Sequence, residues 1–176
     1  MSINITTTKT CAYKLTDYGI ELQTNKAFLE MACTAAGITD NDIKCLLLSM
    51  AMLETNTLDV NDRDASKDGS HGAANVSIFN LNMDMIHRLG YTDDSEFLNE
   101  PYNLSIVVRI LWDALYTWGI DQTLDFIRGG YVGFMDGVSY GCQDYRNTIG
   151  TIYNVIRNDP SLLVDSRRVE IYLEHV

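Results

Sequence analysis

The sequence predicts one mainly α domain that carries a small hairpin or loop lobe. Apolar residues recur at helical spacing over most of the chain. Two prolines, Pro101 and Pro160, are all that interrupt its 176 residues. One long polar, glycine-bearing stretch, Thr55 to Asn75, breaks the helical pattern. The length suits a single domain over residues 1–176.

The elements follow in order. Phe28, Leu29, Met31 and Cys33 give Asn25–Cys33 a short amphipathic face, and Gly37 suits the left-handed position just past a helix end. Thr39 or Asp40 can cap the next helix, Asn41–Glu54, with Asp42 in its first turn, where the helix dipole favours an acid. This helix is apolar nearly all round from Ile43 to Leu53, the pattern of a helix buried on every side. After Glu54 the chain turns polar, and Asp68-Gly69 is its best turn signal. Helical spacing returns over Ile78, Phe79, Leu81, Met83, Met85, Ile86 and Leu89 and stops at Gly90. Asn103–Thr117 and the short Asp121–Arg128 come next, followed by a glycine-rich loop, Gly129–Gly141. A helix over Gln143–Asn158 is closed by Asp159-Pro160, and Ser161–Val176 fits either a helix or a strand.

Thirteen basic residues against twenty-four acidic ones leave a net charge of −11. A surface of that sign repels nucleic-acid phosphates and anionic membranes, and the apolar run Leu46–Leu53 is far too short to span a bilayer. A neutral partner fits best, and a monomer is expected. Cys11, Cys33, Cys45 and Cys142 are widely spaced, with no CxxC pair and no zinc-type Cys/His cluster, so no metal is expected. Two disulfides in any of three pairings, or four thiols, remain open. An EF-hand needs Glu at its twelfth position, and counting from Asp59 or Asp62 reaches Ser70 or Ala73. Gly129-Gly130 lacks the Lys-Ser/Thr of a phosphate loop, and no organic cofactor is expected. His87 reads as a partly exposed packing residue. The first ten residues hold no basic segment followed by an apolar one. A secreted mature form without its leader is expected, with an intracellular product as the alternative.

The chief candidate for chemistry is Glu54 with the acidic loop behind it. A carboxyl at the C-terminal end of a buried helix lies in apolar surroundings near the negative end of the dipole, and both favour the protonated form that a general acid needs. Asp59, Asp62, Asp64 and Asp68 follow in a wetter setting and can stay ionised. A protonated carboxyl facing an ionised one is the arrangement of glycoside hydrolysis. The same residues would equally serve a plain helix end followed by a solvated loop. Trp112, Trp118 and the ten tyrosines offer rings that could stack on pyranose faces, with Trp118, next to Gly119 at a helix end, the best placed.

These residues resemble a known superfamily. A buried helix ending in Glu, then a polar stretch with Asp68-Gly69-Ser70, then a return to helix, looks like the lysozyme-like fold. Within it the chain is most similar to glycoside hydrolase family 134, inverting β-1,4-mannanases. The family's Ala-Met-Ile-Glu-Thr-Thr is similar to Ala51-Met52-Leu53-Glu54-Thr55-Asn56-Thr57. Its Ala-Asn-Phe-Gly-Ile-Phe-Lys-Gln-Asn is similar to the run from Ala74 and Asn75 through Ile78 and Phe79 to Asn82. Its Arg-Asn-Gly loop and following helix resemble Arg128-Gly129-Gly130 and then Gln143-Asp144-Tyr145-Arg146-Asn147. The three blocks fall in family order.

The resemblance implies an α+β lysozyme-like fold with a cleft between its lobes, Glu54 as general acid and a loop aspartate as general base. The family places its base about twelve residues after the acid, where this chain has Ser66. Anchoring on Lys67 favours Asp64, the preferred choice, and anchoring on the Asp-Gly turn favours Asp68. Asn75 stands where hen-type lysozymes carry a second carboxylate; as an amide it can orient water or a sugar hydroxyl but cannot act as nucleophile. Phe79, Asn82, Trp118 and Arg128 complete the expected substrate contacts, and Ile127 replaces a family histidine. The expected activity is endo-hydrolysis of β-1,4-mannan, a neutral polysaccharide, with inversion. The alternatives are a lysozyme- or chitosanase-type hydrolase on the same fold and a non-catalytic lysozyme-like binding protein.

Overall fold

The computed structural model describes residues 3–59, 75–93 and 103–172. Along the chain run β1 (Tyr13–Asp17), α1 (Gly19–Ala35), α2 (Asn41–Glu54), β2 (Asn75–Val76), β3 (Leu81–Asn82), α3 (Met83–Arg88), α4 (Leu104–Trp118), α5 (Ile120–Asp136), α6 (Cys142–Asn158) and β4 (Arg167–Ile171). Short 3-10 turns at Ser139–Gly141 and Pro160–Leu163 flank α6. Among the described residues the protein is mainly α, with two small antiparallel sheets, β1 with β4 and β2 with β3. Among the described residues no helix is long and apolar enough to cross a membrane.

The local signals that place α1 and α2 are backbone and capping chemistry. Gly37 takes a φ of 81°, its N–H donates to Thr34 and that of Ile38 donates to Cys33, at 3.0 and 2.9 Å. Those two bonds satisfy carbonyls that the end of α1 would leave without partners. Asp40 then caps α2 by accepting from the Asp42 amide at 2.8 Å. Every residue of α2 from Cys45 to Met52 is buried, with α6 packed along it and α1 on another side. Each fully buried Leu, Ile or Met there contributes about 1.5–3 kcal/mol.

α6 is apolar on the face toward α2, with Ile149, Ile152 and Ile156 buried, yet Arg146, Asn147 and Thr151 are buried as well. An extended N-terminal segment supplies their partners. The Thr8 amide donates to Asn147 Oδ1 at 2.8 Å, the Cys11 amide to Thr151 Oγ1 at 2.9 Å, and Arg146 Nε to the Thr6 carbonyl at 3.0 Å. Arg146 also pairs with the buried Asp125 of α5. Continuing from that segment, β1 pairs antiparallel with β4, Tyr13 opposite Ile171 and Asp17 opposite Arg167.

Two expectations are corrected here. The helical spacing from Ile78 does not form helix before Met83. Ser77 and Asn80 adopt positive φ, 72° and 56°, and make a tight turn that pairs Val76 with Leu81. Apolar residues clustered on one face of such a hairpin mimic helical spacing. The expected loop from Gly129 is helical to Asp136, bent at Gly130 (φ 65°). Gly129 and Gly133 let this helix approach Cys142, since a Cβ on either would lie within 2.8 Å of its sulfur. The C-terminal stretch, left open between helix and strand, forms a 3-10 turn and then β4, whose partner β1 alternates Tyr13 and Leu15 with Lys14 and Thr16. The four cysteines are free thiols. Asp68-Gly69, the expected turn, lies outside the described residues.

Lys26 ties α1 to the β4 end of the chain. It is 2% exposed, donates to the carbonyls of Leu162 and Arg167 at 2.7 and 2.6 Å, and lies 3.6 Å from Asp165. Burial pulls its pKa from the ordinary 10.5 down to about 8, against the pull of Asp165. Between those two values the unfolded chain holds a proton that the folded chain has shed. Stability therefore rises with pH across the window and is lost as pH falls through 8. Denaturant titrations should show the stability of the wild type relative to Lys26→Met growing from below pH 8 to near pH 10.5; a flat difference would contradict a depressed pKa.

Candidate active site

Glu54 is the last residue of α2, and the chain leaves it through a tightly held turn. The Thr55 amide and hydroxyl both donate to the Ala51 carbonyl at 3.0 Å, and Thr55 Oγ1 accepts from the Leu58 amide at 3.1 Å. Leu58, at φ 61°, turns its side chain into the core. Asn25 of α1 donates to the Thr57 carbonyl at 2.8 Å. From β4, Arg168 Nη1 donates to the carbonyls of both Thr55 and Asn56. Its guanidinium also lies 5.8 Å from the ring centroid of Tyr18, whose hydroxyl bonds Glu170. Three elements, α1, α2 and β4, thus converge on the three residues after the candidate acid.

Tyr145, one turn into α6, meets Glu54 from the other side. Its hydroxyl donates to Glu54 Oε1 at 3.3 Å, and the residue is 6% exposed. Burial pushes its pKa well above the ordinary 10, and the Glu54 charge and hydrogen bond push the same way, while Arg128 pulls back. Tyr145 therefore remains a neutral phenol, a fixed donor that orients the half-buried carboxyl of Glu54. Arg128 is exposed on α5, close enough for its charge to act on Tyr145.

The structure thus places Glu54 against Tyr145, and the charge of Arg128 is felt at the same phenol. Asp64 and Asp68 lie outside the described residues, and Asp59, at the near end of the same loop, is half-buried. Asn75 sits in β2 opposite Asn82 of β3. The side chain of Asn82 caps α3, its Oδ1 accepting from the Met85 amide at 2.8 Å, so its carbonyl group serves the fold. Phe79 is a correction: it is 0% exposed and belongs to the core under the hairpin, with no face to offer a sugar. Trp118 stacks on Phe126 at 5.4 Å and meets the edge of Phe134 at 5.2 Å. One face of its half-buried ring is committed to the corner between α4 and α5. His87 is exposed on α3. Among the described residues no three His, Cys, Asp or Glu side chains gather as they would around a metal ion.

Sequence reasoning assigned no role to Tyr145 or Arg168. Tyr145 shares a helix face with Ile149 and Ile152, which marks it as inward-facing but not as a partner of Glu54. Nothing local to Arg168 signals a contact more than a hundred residues away. Compared with known proteins, the chain matches no protein-family profile and no curated protein.

The Arg168 clamp has a measurable consequence. Arg168→Met leaves two carbonyls without their donor, one of them on the buried Thr55, at a cost of about 1–3 kcal/mol. Amide exchange should quicken first at Leu58, whose N–H depends on the turn that the clamp holds. Unchanged stability together with unchanged exchange at Leu58 would show that the turn stands without it.

Proposed function

We propose that the protein is an inverting, endo-acting glycoside hydrolase of neutral β-1,4-linked mannan, built on a lysozyme-like fold. Glu54 is the general acid and an aspartate of the following loop is the base, Asp64 before Asp68. The observation that carries this reading is the setting of Glu54. A carboxyl at the end of a fully packed helix is held by a buried phenol whose pKa burial raises well above 10, with an acidic loop immediately behind it. Such a carboxyl is fixed in direction and can deliver a proton to a glycosidic oxygen. A loop carboxylate held roughly 6.5–9.5 Å away leaves room for the water that attacks the opposite face of the sugar. The mainly α architecture and the similarity of three ordered sequence blocks to family 134 support the choice of chemistry. The net charge of −11 suits a neutral polymer, and it also suits a cationic one, which keeps chitosan in view.

Reducing-sugar release from mannan, chitosan and peptidoglycan tests the activity directly. Mannan should be cleaved, and product NMR should show the α-anomer first. Glu54→Gln should lower turnover by on the order of 10² or more while leaving the fold intact. Asp64→Asn should be more damaging than Asp68→Asn; the reverse order makes Asp68 the base. Release from chitosan or peptidoglycan alone would move the substrate, and release from none of the three would remove the hydrolase reading.

Tyr145→Phe separates orientation from proton donation. It should lower kcat by about tenfold with little change in KM, because roughly 1.4 kcal/mol of carboxyl positioning is lost and no sugar contact is.

A further inference from the structure

Residues 5–11 form a strap across α6 that is held by hydrogen bonds more than by burial. Thr6 to Thr10 are exposed, so the hydrophobic effect contributes little to seating them. The ends of the strap are fixed by other means. Ile3 and Ile5 pack against the core, and beyond Cys11 the chain passes into β1. Between those ends the anchors are polar. Asn147 commits both ends of its side-chain amide to Thr8, Oδ1 accepting from the backbone amide at 2.8 Å and Nδ2 donating to the hydroxyl at 3.1 Å. The Thr6 amide donates to Asp121 of α5 at 2.9 Å, and the Thr6 carbonyl accepts from Arg146. A Cβ on Gly150 would lie 2.8 Å from the Thr7 methyl, so α6 carries a glycine where the strap crosses it.

These anchors are the neighbours of the residue that meets the candidate acid. Arg146 and Asn147 follow Tyr145 directly on α6, and Thr151, which takes the Cys11 amide, lies less than two turns beyond it. The Tyr145 hydroxyl meets Glu54 at 3.3 Å, longer than the usual O–H···O separation of about 2.7–2.8 Å. A small rotation of the first turns of α6 about the helix axis is therefore enough to make or break it. The inward face of α6, with Ile149, Ile152 and Ile156 buried, fixes where the helix lies. The strap bonds at Arg146 and Asn147 fix how its first turns are rotated.

We propose that this strap positions Tyr145: seated, it holds the phenol on Glu54, and lifted, it releases that contact while α6 stays packed on α2. Opening of this kind is local, because a polar segment between two fixed ends loses a few hydrogen bonds and little apolar contact. The inference stands on the Glu54–Tyr145 contact and does not rest on the hydrolase reading.

Thr8→Pro in the full chain tests it from the strap side, since proline removes the amide that Asn147 accepts and leaves α6 unaltered. Cys11 reports on the strap. It is half-exposed while Cys33, Cys45 and Cys142 are buried, so a thiol-alkylating reagent reads it in the native protein. Its alkylation should quicken by roughly five- to tenfold on loss of the hydrogen bond. In the same variant the NMR ring signals of Tyr145 should shift, and those of Tyr153, two turns further along α6 and buried, should stay. Gly150→Ala is the second variant: its methyl pushes on the stiff, β-branched Thr7, while alanine favours the helix itself. Thr7→Ser in that background removes the methyl it meets and should restore both readouts. Faster alkylation with Tyr145 unmoved in both variants would make the strap a cover and overturn its positioning role. Tyr145 and Tyr153 shifting together would show α6 loosening as a whole and overturn it equally. Unchanged alkylation in both variants would show that these bonds do not hold the strap, and the proposal would fall. None of these readouts depends on turnover, and mannan hydrolysis by the wild type reports on the hydrolase reading separately.

Discussion

The rest of the molecule is arranged around a helix that has no side fit for water. α2 is buried from Cys45 to Met52, so every direction perpendicular to its axis must be closed by other parts of the chain. α6 packs along it, α1 covers another side, and the turn at Pro160–Leu163 adds a further contact. Val169 reaches in from β4, its amide donating to the Met52 sulfur at 3.2 Å. Burying this many apolar side chains supplies the driving force, and at the C-terminal end of the helix the cover thins, leaving Leu53 and Glu54 half-buried.

A carboxyl at the end of a buried helix needs support that the helix itself does not give, because its last carbonyls have no helical partner. The chain meets this with contacts distant in sequence. Thr55 folds back on Ala51, Arg168 from β4 takes the next two carbonyls, and Tyr145 from α6 takes the carboxyl. Arg168 is itself located by the β1–β4 pairing and by Tyr18 and Glu170. The two ends of the chain thus meet behind the candidate site. The small sheet that joins them positions the acid as well as closing the fold.

Buried polar groups elsewhere follow the same logic of satisfaction. Asp125 is pushed toward the neutral form by burial and pulled back by Arg146, and Arg146 also holds the Thr6 and Gly137 carbonyls. A buried ion pair of this kind is weak evidence for net stability, since desolvation opposes the attraction. Its role in the architecture is registration: it sets the N-terminal segment, α5 and α6 relative to one another. Glycine has a comparable role at Gly129 and Gly133, where a missing side chain lets α5 meet Cys142.

What the sequence by itself determined is what depends on local chemistry. The limits of α2, its cap at Asp40, the Gly37 terminus of α1 and the Asp159-Pro160 stop after α6 follow from side chains and backbone freedom within a few residues. The placement of Glu54 at the end of a buried helix was legible for the same reason, since it needs only periodicity and one charge. Tertiary structure decided the rest. Whether Ile78–Leu81 turns or winds depends on two residues held at positive φ against a packed core, and whether Gly129–Asp136 is helix depends on Cys142 lying beside it. Phe79 became core rather than a sugar contact because the hairpin folds it inward. Tyr145 and Arg168 reached Glu54 and its exit across 91 and 113 residues. No local pattern encodes such contacts, because they exist only once burial of α2 has brought α6 and β4 against it.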